Sequence, residues 1–273
     1  MRTEAEHKAR VLNLYRNVLA VGDARPLDDL VSPDYMPHCA PLADVPVLES
    51  GLDALRSRIQ GRGPTPHRLY RVVADGDLVF AQVRYTEGSA VAGTDIFRFD
   101  ASGRIVEHWN SRQHIPRDDA RGVDRFEGGG DPSLPTPPER RREMKRIMTD
   151  VLLEMWGKGN ADLVPVFYDE SYVQHNPDMP GGYARIREIV ETEIPKYIEL
   201  TGGPYPVDIH RMGAEGDLIC IHYSIFMAGI DRNAGAKATN TDIFRIDEHN
   251  RMIEHWDVLQ MKGEPLPNDR TLF

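Results

Sequence analysis

The stretch Thr241–Asp257, "TDIFRIDEHNRMIEHWD", reads as two strands joined by a tight turn, and Thr94–Asn110, "TDIFRFDASGRIVEHWN", repeats it almost letter for letter. Extended to Gln113 and Gln260, the two align without a gap and share eleven of twenty residues. Upstream landmarks recur in the same order. Gly22 matches Gly159, Tyr35 matches Tyr172, His38 matches His175, and "DGDLVF" from Asp75 matches "EGDLIC" from Glu215. A period of about 137–147 residues is too long for a solenoid unit and right for a whole domain. The chain therefore reads as a tandem duplication, with a first domain over 1–116 and a second over 137–273. Between them, residues 117–136 carry Gly128–Gly130 and Pro132, Pro135 and read as a linker.

Within each half the pattern is the same. A long helix (about 4–21 and 138–158) shows apolar residues at helical spacing. A short helix, a brief strand ending in the histidine and a third helix (about 51–60 and 182–199) follow. Three or four strands close each half. Helices first and antiparallel strands afterwards predict an α+β fold, with helices on one face of a curved sheet.

Composition narrows the function. The 273 residues are 40% apolar and 28% charged, which suits packed cores. The net charge of −10, with the two signs interspersed, offers no basic stripe for nucleic acid. Cys39 and Cys220 are too few for a disulfide framework or zinc knuckle. The N-terminus reads as an amphipathic helix rather than a signal peptide, and no run reaches the ~20 apolar residues that span a bilayer. The expectation is a soluble cytoplasmic protein that engages neither nucleic acid nor membrane.

The acids Asp95 and Asp242 sit inside apolar strands, where a carboxylate must face water, pair or line a cavity. On the returning strand His255 and Asp257 share one face, and Glu254 and Trp256 the other. A two-residue turn would set Asp242 opposite His255; a three-residue turn closed by Asn250, or by Gly103 in the first half, would set it opposite Trp256. The local chemistry leaves that register open. Histidines 175, 222 and 255 lack metal-ligand spacing, so no metal and no cofactor is expected. No cysteine lies beside an obvious base in sequence, and Cys220 reads as a core strand residue.

These residues carry a resemblance. "YVQHNPDMPGG" followed by "TDIFRIDEHNRMIEHWD", and "YMPHCAP" followed by "TDIFRFDASGRIVEHWN", are similar to the SnoaL-like polyketide cyclases of the nuclear transport factor 2-like superfamily. The resemblance covers both halves. It implies a cone in which a bent sheet wraps three helices around a deep apolar pocket, and a pseudo-dimer of the two halves within one chain, with further homodimerisation open. The scaffold hosts cyclases, ketosteroid isomerases, dehydratases, epoxide hydrolases and non-catalytic binders. Ketosteroid isomerase, a worked example of pKa tuning, pairs a basic Asp with an oxyanion hole of a Tyr and a protonated Asp. Those positions fall here at His38 and His175 for the base, at Asp95 and Asp242 for the acid, and at Tyr15 or Leu152 for the Tyr. The cyclase branch uses a last-strand acid, which is Asp257 in the second half and Asn110 in the first.

The implied function is cofactor-free acid–base chemistry on a small apolar carbonyl compound of polyketide or terpenoid type. In the second half Asp257 would remove a proton, His255 or His175 would act as acid or orienting partner, and a protonated Asp242 would donate to the enolate. The first half would hold a secondary pocket lined by Tyr15, His38, Asp95, His108 and Asn110. Epoxide opening is the enzymatic rival, although it needs an inward Arg and Arg245 alternates away from Asp242. A non-catalytic small-molecule-binding or scaffolding module is the rival from another class.

Overall fold

Thr3 opens the first helix by a reciprocal cap: its side chain accepts from the Glu6 N–H at 3.3 Å, and its own N–H donates to Glu6 Oε2 at 2.6 Å. The computed structural model describes residues 3–39, 49–86, 90–115, 124–225 and 238–261. These form two compact units that part between Ile115 and Asp124.

In the first unit, helix α1 (Glu4–Asn13) widens into a π-turn at Leu14–Leu19, followed by α2 (Leu27–Leu30), strand β1 (Val31–His38) and α3 (Leu52–Arg62). Strands β2 (His67–Asp75), β3 (Leu78–Tyr85), β4 (Val91–Phe99) and β5 (Ile105–His114) complete a sheet of order β1-β5-β4-β3-β2. Only the β1–β5 pairing in it is parallel. The second unit repeats this plan. Helix α4 (Pro138–Asp150) widens at Val151–Trp156, and α5 (Val164–Phe167) and β6 (Tyr168–Gln174) follow. The third helical stretch is α6 (Gly182–Glu188), a π-turn at Ile189–Glu193 and α7 (Ile194–Thr201). Strands β7 (Val207–Glu215), β8 (Leu218–Ile225), β9 (Ala238–Ile246) and β10 (Met252–Met261) give the order β6-β10-β9-β8-β7, with β6 parallel to β10.

The fold is mixed α+β, with one five-stranded sheet in each unit. The long first helix expected in each half is thus two helical segments. The wide turn starts where the Ala20 N–H reaches back to the Tyr15 carbonyl, and the Gly157 N–H to that of Leu152. Such a turn re-aims one side chain, here Tyr15 or Leu152, at the sheet.

One face of each sheet packs on its helices. In the first unit Val11, Tyr15 and Val18 meet Ala81, Val83 and Phe97; in the second Met144, Met148 and Val151 meet Ile219, Ile221 and Phe244. Each such side chain, removed from water, contributes roughly 1.5–3 kcal/mol before entropy is counted.

The final hairpins resolve the open register in a third way. The turn is the three-residue kind: the Asp247 N–H donates to Arg251 O at 2.9 Å, and Asn250 takes φ 67°. One residue later Ile253 bulges out, so pairing jumps from Ile246–Met252 to Arg245–Glu254. Asp242 consequently faces Asp257, not His255 or Trp256. The first unit makes the same jump around Val106, and Asp95 faces Asn110.

Of the linker expected over 117–136, residues 117–123 lie outside the described residues; residues 124–136 have no regular structure but belong to the second unit's packing. Phe126 is buried, the Trp256 indole N–H donates to Glu127 O at 2.6 Å, and the Gly129 N–H reaches Glu254. Gly128 takes φ +102° where a Cβ would lie 1.9 Å from Glu254 Oε1, so only glycine lets this strap lie against the strand. Among the described residues no helix is long and apolar enough to cross a membrane.

Candidate active site

In the second unit, register alone brings two acids together. Asp242 on β9 and Asp257 on β10 are direct partners, and His255, two residues before Asp257, points to the same helix-covered face. One ligand atom from each of the three lies within 4.8 Å of the others, and His255 Nε2 stands 3.3 Å from Asp242 Oδ2. Asp242 and His255 are buried and Asp257 is partly exposed.

Each side chain is held from one side. The Tyr223 hydroxyl donates to Asp242 Oδ2 at 2.8 Å and itself accepts from Asn240 Nδ2 at 2.7 Å. Asn176 Nδ2 donates to Asp257 Oδ2 at 2.7 Å. Gln174 Oε1 accepts from the Asn176 backbone N–H, which fixes its amide, and lies 2.8 Å from His255 Nδ1. Nδ1 therefore carries a proton, and Nε2 is the nitrogen left for chemistry. Of the buried side-chain atoms that make no hydrogen bond among the described residues, four belong to this site: Asn240 Oδ1, Asp242 Oδ1, Asp257 Oδ1 and His255 Nε2. Burial, joined by the nearby Asp242, raises the Asp257 carboxyl above its ordinary range. Burial alone would lower the His255 imidazole, but Asp242 and Asp257 outweigh it and raise it. The same three side chains are the set that could ligate a cation.

His175 does not join them. It stacks on Trp256 with ring centroids 5.1 Å apart, its Nε2 lies 2.9 Å from Glu254 Oε1, and its Nδ1 lies 3.1 Å from Asp124 O. Glu254 and Trp256 occupy the opposite face of β10 from His255 and Asp257. His38 is placed likewise, stacked on Trp109 at 4.8 Å and 3.2 Å from Glu107. Arg98 and Arg245 complete the two equivalent groups through Glu107 and Glu254. Both histidines thus pin a parallel strand pair from outside and leave the base position unfilled.

The first unit has a different inner network. Asp95 Oδ2 accepts from the Tyr15 hydroxyl at 2.5 Å and the Tyr85 hydroxyl at 2.6 Å; its Oδ1 lies 2.8 Å from His108 Nε2 and 3.8 Å from Arg112. Burial pushes the Asp95 carboxyl up, but His108, Arg112 and Tyr15 outweigh it and hold it well below the usual carboxylate range. An ionised carboxylate accepting three hydrogen bonds cannot be a protonated oxyanion donor, so the isomerase-like role expected of Tyr15 with Asp95 does not fit. The Asn110 side-chain amide lies 2.9 Å from Arg112 Nε, and its oxygen accepts there once the amide is turned to suit that donor. Arg112 is the inward arginine, present in this unit and replaced by Leu259 at the matching place in the second.

Residues 11–108 match the family model of the SnoaL-like domain, a span that includes Tyr15, Asp95 and His108. Three solved structures align with parts of the chain. TsrD from Streptomyces laurentii is 22% identical, covers 41% of this chain and 92% of its own, and gives a TM-score of 0.32. A protein of unknown function from Mesorhizobium loti, described as nuclear transport factor 2-like, is 21% identical over 41% of this chain and 96% of its own, with a TM-score of 0.34. A protein described as a SnoaL-like polyketide cyclase from Jannaschia sp. CCS1 is 14% identical over 41% and 90%, with a TM-score of 0.35. No curated protein matches the chain.

Tyr223, Asn240, Asn176 and Gln174 were not singled out by sequence. Tyr223 takes over from Tyr15 as the hydroxyl on the strand acid, but from β8 and not from the helix. Leu152, at the Tyr15 place, is buried apolar core. The one available signal was "HNP" after the shared histidine, where the SnoaL-like domain has "HCA" and no side-chain amide.

Proposed function

We propose that the chain is an acid–base enzyme acting on a small apolar carbonyl compound of polyketide or terpenoid type. In this reading the second unit is a second SnoaL-like copy and holds the working site. The observation that carries it is the pair of buried carboxylate oxygens that make no hydrogen bond, Asp242 Oδ1 and Asp257 Oδ1, beside a His255 Nε2 that meets only Asp242, set against the fully engaged Asp95 of the first unit. Unsatisfied buried groups are costly and are kept where a ligand completes them.

Asp257, made more basic by burial and by Asp242, takes a proton from the carbon α to the carbonyl. His255 donates its Nε2–H to the developing enolate oxygen, and Asp242, held by Tyr223, balances the charge on the ring. His255 thereby replaces Asp242 as the oxyanion donor expected from sequence. The enolate can close an aldol ring, return its proton elsewhere or expel water, and all three outcomes use the same groups.

The test is exchange of α-hydrogens for solvent deuterium across a panel of small cyclic and polyketide-like ketones, followed by NMR. Catalysed exchange that disappears in Asp257→Asn supports the reading. Exchange that persists in that variant, or tight binding of ketones with no exchange, overturns it.

A further inference from the structure

The first unit holds a reactive grouping that this acid–base reading leaves unused. Cys39 lies just past β1 and is partly exposed. Its Sγ is 3.7 Å from His108 Nδ1 and 3.7 Å from the His108 carbonyl oxygen. On the far side of the ring, His108 Nε2 lies 2.8 Å from the Asp95 carboxylate. That carboxylate can only accept, so Nε2 carries a proton and Nδ1 is the nitrogen that exchanges one. Nδ1 faces Cys39 and the Tyr35 hydroxyl, which is 2.9 Å away.

An acid that orients an imidazole whose other nitrogen meets a thiol is the arrangement that activates a sulfur nucleophile. The 69 residues between Cys39 and His108 hid it from sequence, where no cysteine stood beside a base. Arg112 of β5 stands 3.8 Å from Asp95 Oδ1, which places a cation within the same group. Tyr15 and Tyr85 complete the groups around Asp95.

We infer that Cys39, served by His108 and Asp95, is a nucleophile that adds covalently to small electrophiles bearing a carbon–carbon double bond conjugated to a carbonyl. Sγ bonds to the β-carbon while the π pair of the double bond moves to give an enolate. His108, charged beside Asp95, gives its Nδ1 proton to the α-carbon, and the thiol proton takes its place on Nδ1. Nothing is oxidised and no group leaves, so the product is a thioether. Arg112 supplies positive charge for the enolate. The site involves neither Asp242 nor Asp257 and stands apart from the chemistry proposed for the second unit.

The experiment treats the full chain with N-ethylmaleimide, an activated alkene of this class, and follows adduct formation by intact-mass and peptide mass spectrometry. Cys220, fully buried on β8, is the internal control. The expected result is one adduct, on Cys39, formed at least tenfold faster than on glutathione at the same pH. In His108→Gln the rate falls at least tenfold while circular dichroism stays unchanged. A wild-type rate less than tenfold above that of glutathione overturns the inference, and so does a folded His108→Gln variant that reacts as fast as the wild type. If that variant does not fold, the wild-type comparison decides alone.

Discussion

Asp242 and Asp257 stand directly opposite one another across the β9–β10 ladder, an arrangement that antiparallel pairs ordinarily avoid for like charges. The sheet tolerates it because Tyr223 donates to one acid, Asn176 to the other, and the His255 ring lies 3.3 Å from Asp242. Burial is the main reason the Asp257 carboxyl sits above its ordinary range. Asp242 pushes the same way and offsets part of the lowering by His255 and Asn176, which keeps that acid a stronger base than a free carboxylate.

Asp257→Asn should therefore separate activity from stability. Turnover should fall by about 10²–10⁴, the usual contribution of a general base. Stability at pH 8 should rise by about 1 kcal/mol, as relieving a functional site commonly does. The sign follows from linkage: a carboxyl raised on folding costs stability as pH climbs from its ordinary value through its folded one. Urea unfolding of both proteins at pH 8 and pH 3 checks this, and a gain of equal size at both pH values contradicts it.

His255 works in the opposite sense. Its raised imidazole contributes stability that is fully present below the unfolded value of about 6.5 and is lost as pH rises through the folded value. His255→Gln should be less stable than wild type at pH 6, by about 1–3 kcal/mol for a lost charged hydrogen-bonding group. The two unfolding curves should converge as pH is raised. Parallel curves across the range would show that the ring is not charged in the folded protein.

The repeat made the order of elements in each half legible, and a period of two placed His255 with Asp257 on one face of the last strand whatever their partners. Which face is inner, and the parallel place of β6 beside β10, were not legible. The partners were not legible. A bulge at Ile253 leaves no mark on composition, yet it decides that Asp242 meets Asp257 and not Trp256. His175 stood among the expected site residues because the resemblance sets it at the base position, and its place in both copies is mechanical: each histidine stacks on the tryptophan of the parallel strand beside it. Tyr223 and Asn176 come from residues distant in sequence, 19 from Asp242 and 81 from Asp257, beyond the reach of any local pattern.

In the first unit the Asp95–His108 pair should contribute stability as well as orient the ring. Asp95→Asn leaves the imidazole without its carboxylate, and breaking a buried pair costs about 3–5 kcal/mol. The pH window follows from the two shifts. The His108 contribution is present below about 6.5 and is lost as pH rises through about 10. The Asp95 contribution is present above about 3.9 and is lost as pH falls toward its much lower folded value. Thermal unfolding from pH 3 to 10 should show the variant losing most between pH 4 and 6.5, and a loss of less than 1 kcal/mol there would count against the pair.

Gly128→Ala tests whether the 124–136 strap holds the second unit together. A Cβ there meets Glu254 Oε1 at 1.9 Å and the Trp256 ring at 2.7 Å, in a backbone conformation with φ +102°. Glu254 cannot swing aside freely, since His175 and Arg245 hold it. A cost of about 1–3 kcal/mol is expected, in line with other overpacked sites. Gly203→Ala, with nothing within 4 Å of the added carbon, should change stability by less than about 0.5 kcal/mol. Equal effects at the two glycines would show that the strap contributes little.

Zinc offers the last discrimination. Asp242, His255 and Asp257 present ligand atoms within 4.8 Å of one another, a spacing that one ion can bridge. His255 can ligate only through Nε2 once its proton is gone, so zinc and proton compete for the same atom. Added Zn²⁺ should inhibit turnover, more strongly as pH rises from 6 to 8, and a chelator should restore the rate. The inhibition should weaken in His255→Gln, which retains an amide but no basic nitrogen. Assays with a zinc titration at each pH measure both effects. Activation by zinc, or a lasting loss of turnover on chelation, would replace the cofactor-free reading with a metal-dependent one at the same three residues.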